Sequence, residues 1–424
     1  TSAGAAYVLP ENPSYENLPG QDFRTTFFIF LYGVWLFLGC MGNFSQFTSL
    51  FIKQTGSNFF QTLFTLWSYA CIVLLIAFFW ITSNHLFKEI WIIPCLLVLA
   101  LLSKELGLHV LPMTSLTTLL FIFSAKDISR ERFINADFLI KLLIILIIIS
   151  LHYLHAFPAG NNGDMLRGSI MRYSLGFTSP NVLAGFILSI VLDFYILYEK
   201  KLFTHRRELF FVFGLIIVVL LTTILTDSRG AQVAMLVMIL LFWTKYLKNS
   251  RERMSIFVMI LKALFIFSVV ITFYCVYRFN QNSTFWRSLN ILLSGRLSLQ
   301  STATQLYGLH FWGQHILLGH EAYSNLFWPQ DLWVDNQVLL TSLTNGVAGL
   351  VIYCFMFLYC INRLKYQRQK FPLVVFVALI CHSLVEAQIY NVYFISPFIF
   401  AMGLPSMIGG DDRQCLSLNS MNLA

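Results

Sequence analysis

The chain has 424 residues, of which 57% are hydrophobic and only 11% charged. A soluble domain carries roughly a quarter charged residues, so this composition excludes a soluble globular protein. The net charge of +8 is no nucleic-acid signal, because the basic residues are scattered through short loops and form no cluster on a polar face.

The apolar residues come in blocks of about 17–25, the length that crosses a bilayer as a helix. Lipid offers the backbone no hydrogen-bond partner, so each block must satisfy its own peptide groups as a helix. The alternation of a membrane β-barrel is absent. In chain order, spans are expected at 27–42, 59–82, 87–103, 108–124, 139–157, 174–198, 208–225, 230–247, 255–277, 335–361, 372–389 and 391–409. The fold class is therefore all-α integral membrane, a polytopic bundle of about twelve helices. Residues 1–22 are polar and rich in Pro, Gly and Asn, and lack the basic start and apolar core of a signal peptide. They are expected to be a flexible, processed or appended tail. Residues 23–409 form a single transmembrane domain with a long loop at 278–334, and 410–424 a second tail.

Orientation follows from the loop charges. Lys126, Arg130 and Arg132 precede the fifth span, and Lys200, Lys201, Arg206 and Arg207 separate the sixth and seventh. Lys245, Lys248, Arg251 and Arg253 follow the eighth, and Arg363, Lys365, Arg368 and Lys370 the tenth. These loops alternate in register and belong on the cytoplasmic side, with both termini. The opposite side carries 158–173, a tight turn at 226–229 and the segment 278–334, rich in aromatics such as Trp286, Trp312, Trp328 and Trp333. A loop this long without evident structure is usually functional.

Four arginines on that far side run against the orientation rule. Arg167 and Arg172 lie where a loop feeds the sixth span, Arg229 opens the eighth in TDSRGA, and Arg296 sits in LLSGRLSL. A guanidinium is permanently charged and matches phosphate oxygens bidentately, so a convergent set suits a lipid-linked diphosphate. The competing reading is snorkelling of single arginines toward headgroups. Pro180 and Asn181, in Ser179-Pro180-Asn181, are expected to break the sixth span just inside its start and free backbone groups to line a cavity; a mere kink is the alternative.

Carboxylates at a membrane edge are costly and default to function. Asp227 could pair with Arg229, and Glu386 sits in HSLVEAQIY near the end of the eleventh span. Asp335 opens the tenth span in WVDNQVLL, as a base, as a helix cap, or as both. His310, His315 and His320 recur every five residues, a spacing that fits no metal motif. His320 and Glu321 are retained as substrate contacts. The eight cysteines show no paired ligand spacing and read as small hydrophobes.

The run from about 167 to 350 resembles the Wzy-type polysaccharide polymerases and the related O-antigen ligases. The resemblance rests on R-x-S-L-G-F-x-x-P-N at Arg172–Asn181, S-R-G-A at Ser228–Ala231, Arg296 in the outer loop and L-L-G at Leu317–Gly319. It extends to D-N-x-x-L-L-x-x-x-x-x-G-x-x-G-L from Asp335 to Leu350. It implies a glycosyltransferase similar to the GT-C type, needing neither metal, nucleotide nor other cofactor. Such an enzyme moves a growing glycan from undecaprenyl diphosphate onto another carrier-linked repeat unit, on the outer face of a bacterial inner membrane. The expected partners are the undecaprenyl-diphosphate-linked oligosaccharide and the lipid bilayer, with a chain-length regulator and a flippase beside them, and no nucleic acid. Arg172, Arg229 and Arg296 would stabilise the leaving diphosphate and Asp335 would act as base, with Glu386 in reserve. Arg167, Asn181, Asn336, His320, Glu321 and Glu386 would bind substrate. The ligases commonly carry a His-Asn pair where this chain has Asp335-Asn336, which leans toward polymerase. Two alternatives stand: a ligase-like transferase to another acceptor, and a lipid-sugar flippase or transporter. The last predicts charges deep within many spans, whereas most charges here fall at span ends.

Overall fold

The computed structural model describes residues 21–47, 59–82, 98, 100, 112–155, 164–167, 169–198, 205–246, 250–319, 332–367 and 369–403. The protein is an all-α membrane protein. In chain order its helices are α1 (Gln21–Gly39, extended by a π-turn Cys40–Phe44), α2 (Phe59–Thr82), α3 (Met113–Ser124) and α4 (Arg130–Tyr153). Next come α5 (Pro180–Tyr198), α6 (His205–Thr226), α7 (Arg229–Leu241), α8 (Arg251–Arg278), α9 (Thr284–Leu292) and α10 (Arg296–Tyr307). The last are α11 (Gln337–Thr344), α12 (Gly346–Tyr366), α13 (Lys370–Ser383) and α14 (Ser396–Met402). A hairpin of β1 (Met165–Arg167) and β2 (Ile170–Arg172) pairs antiparallel ahead of α5.

Among the described residues, seven helices, α1, α2, α4, α5, α6, α8 and α12, are long and apolar enough to cross a membrane. The Ile-rich α4 is helical despite its β-branched residues, because a chain in lipid must close its own hydrogen bonds. α6 turns Phe210, Phe213, Leu220, Leu221 and Ile224 outward, an apolar face that suits lipid. α5 is buried almost all round and forms the centre of the bundle, in contact with α4, α6, α7 and α13. Tyr32 meets Phe121 and Phe133 edge to face, and Trp35 packs tilted on Phe121, locking α1, α3 and α4 together. A smaller core of Val276, Leu297, Val334, Leu339 and Leu343 holds α10 and α11 over the end of α8.

Several expectations change. Four expected spans coincide with the shorter apolar helices α3, α7, α13 and α14. At about 1.5 Å per residue, the 12–14 residues of α3, α7 and α13 reach about 20 Å and the 7 of α14 about half that, less than the roughly 30 Å hydrocarbon core. The tenth span is two helices that meet at Asn345 and the left-handed Gly346 (φ +72°). Pro180 does not break a helix: it is the first residue of α5, where its missing N–H goes unneeded. α4 begins at Arg130, well before the expected 139. The segment 278–334 is not an open loop, since α9 and α10 occupy much of it. All of the third span except residues 98 and 100, and the two tails beyond 21–403, lie outside the described residues.

Candidate functional site

Arg296 is the first residue of α10, entered through left-handed Gly295 (φ +80°). Its guanidinium is 9% exposed and engaged on every nitrogen. Nε lies 3.1 Å from Oδ2 of Asp335, Nη2 donates to Oε1 of Glu386 at 2.7 Å, and Nη1 donates to the Val385 carbonyl. Glu386 stands in the non-helical linker between α13 and α14, outside the spans, and is 2% exposed. Burial pushes its carboxyl up to about 7, with Asp335 adding to the rise while Arg296 and Arg172 pull the other way.

Arg172 ends β2, and its side chain is buried against the end of α6. Nε donates to the Thr226 carbonyl at 2.6 Å, one of the free carbonyls that close a helix and favour a cation. Nη2 donates to Oδ1 of Asn181, in the first turn of α5. The amide nitrogen of Asn181 reaches Oε2 of Glu386 at 3.4 Å, and its carbonyl accepts from Gln388 at 3.1 Å. A polar path therefore runs Arg172–Asn181–Glu386–Arg296–Asp335. Its order explains why the RYSLGFTSPN stretch needs both its arginine and its asparagine.

Arg229 opens α7, is exposed, and donates to the Leu292 carbonyl at the end of α9 at 2.7 Å. Its neighbour Gly230 packs directly on Glu386: a Cβ there would stand 2.5 Å from Glu386 Cγ. The glycine of S-R-G-A is thus needed for close approach, and it brings Arg229 to the rim of the same cluster. Asp335 is the most open of the acidic groups, with its side chain 29% exposed. The helix cap falls instead to Asn336, whose Oδ1 accepts from Leu339 N at 3.0 Å. The Asn336 amide also donates to Thr272 and the Leu384 carbonyl, both at 3.1 Å, so it ties α8 and α11 to the Glu386 linker.

Arg167 pairs through its backbone in the β-hairpin with Ile170; its side chain lies outside the described residues, as do His320 and Glu321. His382 was not singled out by sequence. It is fully buried one turn before Glu386, its ring 5.1 Å from that of Phe394, with its carbonyl accepting the Glu386 N–H at 2.8 Å. Its signal was the i, i+4 spacing in HSLVE. Among the described residues no group of three His, Cys, Asp or Glu side chains is placed to hold a metal ion. A small cleft between α3 and α12, lined by Ser115, Thr118, Asn345 and Tyr353, includes none of the arginines.

The cluster offers guanidinium groups for an anion and one partly open carboxylate beside them. Comparison with protein-family models, curated proteins and solved structures finds no match.

Proposed function

We propose that the protein is a glycosyltransferase of the lipid-diphosphate-sugar type, a polymerase acting at the outer face of a bacterial inner membrane. The observation that carries the reading is Arg296 held between Asp335 and Glu386, with Arg172 joined to the same carboxylate through Asn181. An acceptor sugar hydroxyl attacks the anomeric carbon of the donor, and the undecaprenyl diphosphate leaves from the opposite side, inverting that centre. Arg172, Arg229 and Arg296 stabilise charge as it grows on the leaving diphosphate, often the largest catalytic contribution. Asp335, the more open carboxylate, takes the hydroxyl proton. Twelve crossings, with both termini in the cytoplasm, would complete a GT-C-like bundle.

The test is an in vitro reaction with a lipid-diphosphate-linked repeat unit, resolved on a gel. The wild type is expected to give a ladder. Arg172→Ala, Arg229→Ala and Asp335→Asn, each confirmed as folded, are expected to lose it by about 10²-fold or more. A ladder that survives all three substitutions sinks this site, and a single capped product supports the ligase-like reading.

One observation favours the transport reading: α4 and α5 bury Lys141, Asp137 and Asp193 within the membrane. Movement of a labelled lipid-linked unit across proteoliposomes, abolished by Asp193→Asn and spared by Arg229→Ala, would turn the assignment that way.

A further inference from the structure

Halfway along α4, away from the arginines, Lys141 is completely buried between two aspartates. Its Nζ lies 2.7 Å from Oδ2 of Asp137, one turn earlier, and 2.6 Å from Oδ2 of Asp193 on α5; all three side chains have no exposure. Lys141 also donates to the Ser396 hydroxyl of α14 at 2.9 Å, and that hydroxyl donates to Oδ1 of Asp193 at 2.6 Å. Three helices distant in sequence are thus joined inside the bundle.

The charges do not balance. Two carboxylates face one ammonium, and the charges that bear on Lys141 and Asp193 come from within the cluster. An uncompensated ion in a low-dielectric interior is so costly that the group takes up a counter-charge instead. The cluster also has unused polar atoms. Asp137 Oδ2 holds the Lys141 ammonium at 2.7 Å, while its Oδ1 has no hydrogen-bond partner and the fully buried Tyr32 hydroxyl of α1 stands beside the carboxylate. The place between the carboxylates is filled by the Lys141 ammonium, which leaves no open oxygen shell for a metal ion. A proton needs no shell, only a carboxylate oxygen.

We propose that Asp137, Asp193 and Lys141 form an intramembrane proton site, in which the two carboxylates share one proton and the cluster is neutral. The proton adds to one carboxylate oxygen to make a carboxylic acid beside the Tyr32 hydroxyl, while the other carboxylate keeps its ion pair with Lys141. In closely coupled carboxylates the proton belongs to the pair rather than to either residue. The site pins α14, which follows the linker carrying Glu386, against the centre of the bundle.

The test reads the proton directly in the full-length protein in lipid nanodiscs. Infrared spectra are taken at a pH well above 7, where Glu386 is ionised, and searched for the carbonyl stretch of a protonated carboxylic acid. The wild type is expected to show one such band. Asp137→Asn and Asp193→Asn are each expected to lose it, because the remaining aspartate is balanced by Lys141, and at least Asp137→Asn is expected to melt close to wild type. The double Asn variant, which strands the lysine, is expected to melt far lower. A wild type with no band overturns the proposal without any variant. A band that persists in both single variants belongs elsewhere and also overturns it.

Discussion

The protein holds two charged clusters built from opposite rules. Around Arg296, the guanidiniums of Arg172, Arg229 and Arg296 outnumber the carboxylates of Asp335 and Glu386, and every nitrogen of Arg296 is occupied. Inside the bundle the carboxylates outnumber the cation, and no side chain of the cluster is exposed. The first arrangement is a cluster held closed by its own side chains, which on the proposed reading a phosphate would displace. The second is sealed and suits a charge that needs no entry path wider than a proton. Burial alone therefore does not separate machinery from scaffold; the sign of the excess charge and access to it do.

The sharpest way to break that contrast is to remove the central cation from each cluster. Arg296→Ala leaves Glu386 buried without its partner and is expected to cost about 3–5 kcal/mol of stability and about 10²–10³ in turnover. Lys141→Met is expected to destabilise on the same scale while the folded fraction keeps its turnover. Thermal melts beside product ladders, normalised to folded protein, separate the two effects. A well-folded but inactive Lys141→Met would show that the clusters act as one machine.

A subtler probe is Gly230→Ala. Alanine is the better helix former, so α7 itself gains. The new methyl collides with Glu386 Cγ, because the built Cβ stands only 2.5 Å away. Glu386 must then shift against Arg296, and a misplacement of about 1 Å can cost about 10²-fold in rate. The expected result is a protein with an unchanged melt and turnover lowered by about that factor. Normal turnover would mean that Glu386 and Arg296 need not hold their present register.

What the sequence revealed follows from where each signal lives. Arg172, Arg229 and Arg296 stood out because lone arginines on the side expected to be outer defy the orientation rule, and Arg172, Arg296 and Asp335 prove to be parts of one polar path. Lys141 did not stand out: the charges of RERFINADF pushed the expected span start to 139, which made a mid-helix lysine look terminal. Its partners on α5, 52 residues away, and on α14 help explain its burial. Asp335 and Asn336 were both legible, but their division of labour was not, since a cap depends on one residue of register. The helices inside 278–334 were hidden by their brevity, α9 having 9 residues and α10 having 12.

The smallest effect concerns pH. In the unfolded chain Glu386 titrates near its ordinary 4.5, whereas burial in the fold lifts it to about 7. The folded state therefore binds the extra proton. The stability linked to this group is complete below about 4.5, falls as pH rises to about 7, and is level above that. Glu386→Gln is expected to abolish that slope in thermal melts. The same proton bears on donor binding, because an ionised Glu386 holds Nη2 of Arg296 and a protonated one holds it weakly. As pH falls through about 7, affinity for a short-chain isoprenyl diphosphate is expected to rise, by less than about tenfold per pH unit, the limit for one linked proton. Titration calorimetry on wild type and Glu386→Gln reads this directly. The variant should bind tightly and without that dependence. If it keeps the wild-type slope, another group at the arginine cluster carries the proton, and Glu386 is its scaffold rather than its latch.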